Sequence, residues 1–180
     1  YLAGKVNLAN AWGTGVADDK GIFPYIPDLI RHYFKEEPIL ENAPTYSLVD
    51  PKQRKYVLDR LDKMVIKCRE GYGGHDILIG PEAKKDELDI FRRKVIAEPL
   101  NYIAQDCLDF SAHVRASSTG ETIELSDAFV DLRAYALMGG KQGRDIYVWP
   151  SGLTRIAQQG TRVVNSSSGG LIKGTWVMKK

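Results

Sequence analysis

Two short apolar runs, MVIKC at 64–68 and DILIG at 76–80, flank the loop REGYGGH, and a Gly-Pro pair closes the second run. The runs are too short for helices and rich in β-branched residues, so they predict two strands. The loop between them carries Gly71, Gly73 and Gly74, and one lysine, Lys67, stands near the end of the first strand. Glycine lets backbone N–H groups approach an anion closely, and a strand-end lysine adds a fixed charge. That combination suits a nucleotide phosphate. The same residues also suit a plain hairpin with a pliable loop. No G-x-x-x-x-G-K-[ST] pattern occurs, and no helix opens directly after the glycines, which excludes the two common phosphate-loop motifs.

The rest of the chain divides between helical and strand patterns. In YIPDLIRHYFKEE, residues Ile26, Leu29, Ile30, Tyr33 and Phe34 recur at helical spacing, with Pro27 in the first turn. PILENAPTYSLVDP reads as a loop broken by prolines. Asp50 is placed to cap a helix that starts at Pro51, with Tyr56, Val57, Leu58 and Leu61 facing inward. PEAKKDELDIFRRKVIAEP is an amphipathic helix with Leu88, Phe91, Val95 and Ile96 on its inner face. YIAQDCL predicts a further strand. From AHVRAS through LTRIAQQGTRVVNSS the alternation predicts an antiparallel sheet, turning at STGET. The fold class is therefore α+β. Residues 1–62 are expected as a helical lead-in, 63–109 as a β-β-α-β lobe and 110–180 as an antiparallel sheet.

Composition narrows the function. The chain has 180 residues and a net charge of +2, with no basic stripe, which disfavours a nucleic-acid partner. No apolar run approaches the roughly 20 residues of a membrane span. Cys68 and Cys107 lie far apart, without metal spacing, and fit a reducing, cytoplasmic setting. His32, His75 and His113 are scattered, so no nucleophile–base arrangement follows from spacing. Trp12, Trp149 and Trp176 are expected in the core or at a lobe interface. The chain opens at Tyr1 without methionine, and we expect a piece of a longer protein.

Several segments, in order, resemble one family. NAWGTGVADDK, PDLIRHYFKEEPILENAPTY, VIK, EGYGGHDI, YIAQDCL, DLRAYAL and PSGLTRIAQQGTRVVNSSSGG with TWV are similar to the circularly permuted ATP-grasp proteins of bacteria, which are related to glutathionylspermidine synthetase. The resemblance covers almost the whole chain. Cys68 stands where the family commonly has proline, His75 where a basic residue is frequent, and Asp106 where glutamate is common.

The resemblance implies an ATP-grasp fold that clamps ATP between two lobes, with residues 1–62 and 110–180 contributing to one larger lobe and 63–109 forming the small one. It implies Lys67 on the α- and β-phosphates, Lys20 reaching them from the other side, and Gly71, Gly73 and Gly74 as a lid. Gln105 to Leu108 would cradle adenine through the backbone, with Asp106 or Asp109 on the ribose. Arg133 and Arg155 would stabilise the transferring phosphoryl group or a carboxylate substrate; an ion pair with Asp131 or Asp145 is the other role open to them. Asn165, beside SSSGG, would meet substrate or γ-phosphate. Mg²⁺ ligands are implied upstream of Tyr1, and none is assigned within the chain. The implied chemistry is ATP-dependent joining of a small carboxylate to an amine or peptide through an acyl-phosphate. The alternative is a nucleotide-binding or scaffold domain without catalysis. The Lys67 head is expected to face solvent in the empty state.

Overall fold

The computed structural model describes residues 1–6, 8, 12–71, 76–139, 145–164 and 170–178. Contacts divide the chain into two units, Tyr1–Leu108 and Asp109–Lys180.

In the first unit, local signals set the helices. Asp50 accepts from the Lys52 N–H at 2.8 Å and from the Gln53 side chain at 3.2 Å, and Pro51 occupies the first helical position of α1, Pro51–Leu58. The helix before it runs Ile26–Phe34 and ends at Lys35, which adopts φ 58. A four-residue helical turn, Gly15–Asp18, and a 3-10 segment, Lys20–Tyr25, precede that helix. The longest helix is α2, Lys85–Ala97.

Four strands form one antiparallel sheet: β1 Thr45–Ser47, β2 Met64–Cys68, β3 Ile77–Ile79 and β4 Tyr102–Asp106. Their spatial order is β1-β4-β2-β3. The β-β-α-β succession expected from the sequence is therefore present as β2, β3, α2 and β4. Strand β1 falls in the segment expected to be a loop. It is three residues long, and only its pairing with β4, through Thr45 with Gln105 and Ser47 with Ile103, makes it a strand.

Alternation in β2 is strict and sets the core. Met64 and Ile66 point to the buried face with Leu78, Tyr102 and Ala104, and pack with Leu48, Val57, Leu61 and Val95. Burying such side chains contributes about 2 kcal/mol each. Leu88 and Phe91 of α2 pack against this cluster, as expected. Ile96 does not: it is 58% exposed, because it is one residue on from Val95 and so turned about 100° around the helix. Tyr56 is also displaced from the expected inner face, at 39% exposed, and instead rests against Tyr46 with ring centroids 5.2 Å apart. Gly80 sits where a Cβ would lie 2.1 Å from the Leu61 carbonyl oxygen, so only glycine fits after β3.

The second unit is an antiparallel meander. Strands β5 Ala112–Thr119, β6 Thr122–Gly139, β7 Asp145–Ile156 and β8 Leu171–Lys173 are neighbours in sequence order. Gly120, at φ 70, makes the β5–β6 turn. Strand β7 runs continuously through Pro150, which lacks an N–H. The β6–β7 register shifts there: Ala134 pairs with Gly152 and Ala136 with Val148, leaving Tyr135 opposite 149–151. Strand structure expected to continue beyond Ile156 stops there, and residues 157–164 are neither strand nor helix. The tryptophans are not core residues. Trp12, Trp149 and Trp176 are 87%, 52% and 91% exposed. No helix among the described residues is long and apolar enough to cross a membrane.

Candidate functional site

The sheet of the first unit has a second face. Residues paired directly across an antiparallel ladder point the same way. Val65 pairs with Gln105 and with Ile79, Lys67 with Ile103 and with Ile77, and Thr45 with Gln105. These side chains therefore share the face opposite the core. The 3-10 segment Lys20–Tyr25 packs against β1 and β4.

Lys67 and Lys20 both end on neutral oxygens. Lys67 Nζ donates to Gln105 Oε1 at 2.5 Å. Lys20 Nζ donates to the Arg69 carbonyl at 3.3 Å and to the Gly71 carbonyl, the first glycine of the loop. Among the described residues neither ammonium has a carboxylate within ion-pair distance. Burial pushes the Lys67 ammonium below its ordinary pKa, and the nearby Lys20 charge adds to that. The Lys67 head thus differs from the solvent-facing state expected for it: Gln105, itself 8% exposed, holds it against the sheet.

Arg69 and Asp19 form the frame around Lys20. Arg69 Nε donates to Asp19 Oδ1 at 2.9 Å, and Nη2 to Oδ2 of the same carboxylate. Asp19 also accepts from the Gly21 N–H at 2.7 Å, capping the 3-10 segment. Arg69 beside it, with that N–H second, holds the Asp19 carboxyl down to about 2. Gly21 is required by close approach: a Cβ there would lie 2.3 Å from Arg69 Nε. Arg69 Nη1 reaches the Leu100 carbonyl at 3.0 Å, and the Arg69 N–H donates to the Asn101 carbonyl at 2.9 Å. A cleft of about 580 Å³ lies alongside, lined by Gly15, Val16, Asp18, Asp19, Gly21, Ile22, Arg69 and Glu70. Sequence reasoning passed over both members of this pair, since residues 50 apart give no local signal.

The structure thus brings Lys20, Lys67, Gly71 and Gln105 into one region of the first unit. It does not bring the Asp106 side chain there. Asp106 pairs with Met64, so its carboxylate is on the core face, where Tyr46 Oη donates to it at 3.4 Å. Burial pushes the Tyr46 hydroxyl up to about 12. Gln105 lies inside a strand paired on both sides, so its backbone groups belong to the ladder. The Asp106 N–H is spent on the Pro44 carbonyl at 3.1 Å. Leu108 follows the strand end. Gly73, Gly74 and His75 lie outside the described residues, as does Asn165.

Arg133 and Arg155 belong to the second unit. Asp131 pairs with Arg155 and Arg133 with Leu153, which puts both arginines on one face of that sheet. Arg155 forms a two-pronged ion pair with Asp131, Nε to Oδ1 at 2.8 Å and Nη2 to Oδ2. That bond raises the Arg155 pKa and spends its fork. Arg133 is exposed. Among the described residues no three of His, Cys, Asp and Glu are gathered as a metal centre requires, and Asp131 is committed to Arg155. This donor set does not fit a Mg²⁺ centre by itself.

Comparison with known proteins identifies the family. Residues 1–157 match the family described as circularly permuted ATP-grasp type 2. An uncharacterized protein of Synechocystis is 46% identical over 180 residues, covering 99% of this chain and 36% of that protein. A Frankia casuarinae protein named "Putative glutamate--cysteine ligase 2-2" is 39% identical over 178 residues, covering 99% of this chain and 20% of that protein. An uncharacterized protein of Mycobacterium tuberculosis is 41% identical over 178 residues, covering 98% of this chain and 31% of that protein. The chain thus spans about a third or less of the length of these relatives. It belongs to the circularly permuted ATP-grasp type 2 family.

Proposed function

We propose that the chain is the nucleotide-binding part of an ATP-dependent ligase that joins a carboxylate to an amine. The observation that carries this reading is the convergence of Lys20 and Lys67 beside Gly71. Both ammoniums rest on neutral oxygens, with no described carboxylate within ion-pair distance of either. A polyphosphate can take those donors at little cost, because only carbonyl and amide oxygens must give them up. Lys67 then holds the α- and β-phosphates, Lys20 approaches from the lead-in, and Gly71, Gly73 and Gly74 close over them. The end of β4 and the residues after it, from Asp106 to Leu108, edge the base.

In the reaction a carboxylate oxygen attacks the γ-phosphorus, and the bond to the ADP oxygen breaks. The amine then attacks the acyl carbon, phosphate leaves with the bonding electrons, and the amine proton is released. The protein contributes position and charge neutralisation. Arg133 and Asn165 are assigned to the transferring group or the carboxylate substrate. Arg155 joins them on exchanging Asp131 for the ligand. Mg²⁺ would neutralise phosphate charge, with carboxylates from outside the described set. The glutamate–cysteine ligase name of the Frankia relative supports the same joining class. Two free thiols, Cys68 and Cys107, suit a reducing cytoplasm.

Calorimetric titration of the full polypeptide with ADP and a non-hydrolysable ATP analogue, with Mg²⁺ present, tests this. Lys67→Met keeps the aliphatic stem and removes the charge. It and Lys20→Met should each weaken binding by at least about tenfold. Binding equal to wild type in both variants, or none in the intact protein, would overturn the proposal.

A further inference from the structure

The amide of Gln105 can take only one orientation, and Thr45 sets it. Lysine has donors and no acceptor, so the atom of Gln105 that meets Lys67 must be its oxygen, at 2.5 Å. The Thr45 hydroxyl proton goes to the Ala43 carbonyl at 2.7 Å, which can only accept. The Thr45 oxygen is thereby left to accept, and it does so from Gln105 Nε2 at 2.9 Å. Each proton in the chain from Lys67 to Ala43 is thus fixed by its neighbour. Thr45 and Gln105 are direct cross-strand partners, so backbone pairing holds the two side chains together.

We propose that Thr45 is a positioning residue: it locks the Gln105 amide with its oxygen toward Lys67, and so keeps the Lys67 ammonium charged and aimed in the empty site. Among the described residues, the charged group that acts on Lys67 is Lys20, from the 3-10 segment, and it opposes the charged state. The partners of Lys67 on β3 and β4 are Ile77 and Ile103, which do not titrate. Gln105 is thus the side chain that offsets burial, and its amide is oriented through Thr45. The consequence for ligand binding rests on the nucleotide reading above. The arrangement itself does not.

The experiment follows the Lys67 side chain in the ligand-free full polypeptide by NMR with ¹³C-labelled lysine, assigning its resonance by its loss in Lys67→Arg. Thr45→Val frees the Gln105 amide to turn its oxygen away from Lys67, which favours the neutral amine and should move the Lys67 titration midpoint to lower pH. Thr45→Ser, which restores the hydroxyl, should return it to the wild-type value, a rescue that mere packing would not give. Gln105→Met should lower the midpoint at least as far, and adding Thr45→Val to it should change nothing more. If Thr45→Val does not fold, the midpoint in Gln105→Met still decides whether the amide holds the ammonium. An unchanged midpoint in folded Thr45→Val, failure of serine to restore it, or full additivity of the two substitutions would overturn the proposal. ADP titrations of the same variants report separately: a shifted midpoint without ADP binding would sink the nucleotide reading and leave the lock standing.

Discussion

Replacing Gly21 with alanine tests the frame that carries Lys20. The added methyl would lie 2.3 Å from Arg69 Nε and 2.6 Å from its Cζ. Heavy atoms do not approach so closely, and the flexible partner is the guanidinium, which must swing away from Asp19. The loss is therefore the Asp19–Arg69 pair. The Asp19 carboxyl stands at about 2 against an ordinary 3.8, a difference worth about 2.5 kcal/mol if taken whole. Both side chains are 31% exposed, and solvent screening reduces the figure to about 1 kcal/mol. A carboxyl whose pKa is lowered in the fold stabilises it above pH 3.8, and that contribution fades as pH falls from 3.8 through about 2. Urea unfolding of the full polypeptide should show Gly21→Ala less stable than wild type by about 1 kcal/mol at neutral pH, with the deficit closing as the pH approaches 2. Asp19→Asn should behave alike, and the double variant should lose little more, because both remove one pair. A Gly21→Ala protein as stable as wild type at neutral pH would refute the reasoning. So would a deficit that persists unchanged in acid.

Two further substitutions test the scaffold. Ile66→Ala removes a side chain with no exposed surface from the centre of β2 and should cost about 3 kcal/mol in urea unfolding, with the slope unchanged. Asp50→Ala removes the acceptor for the Lys52 N–H at the start of α1 and should cost about 1 kcal/mol in the same assay; Asp50→Ser should recover most of that.

Local chemistry was legible because it acts within a few residues. Asp50 followed by Pro51 announced a helix start, alternation from Met64 to Ile66 marked a strand with one buried side, and the spacing of Leu88, Phe91 and Val95 marked the inner face of α2. The loop glycines and the strand-end lysine could be named as a pair from sequence alone. That named residue types suited to an anion, and left open what holds them.

Tertiary structure decided the remainder. Strand β1 exists because β4 offers an edge, and three residues hemmed by prolines carry no periodic signal of their own. The face to which Asp106 points follows from its pairing with Met64, and a one-residue change of register would reverse it. Arg69 and Asp19 meet across 50 residues, and Lys67 reaches Gln105 across 38. Sequence thus determined the charges and those elements with a cap or a periodic pattern of their own, because helix caps, alternation and side-chain type are properties of neighbours along the chain. The partners of those charges were set only by folding, because hydrogen bonds and ion pairs act over a few ångströms in space, whatever the separation in sequence.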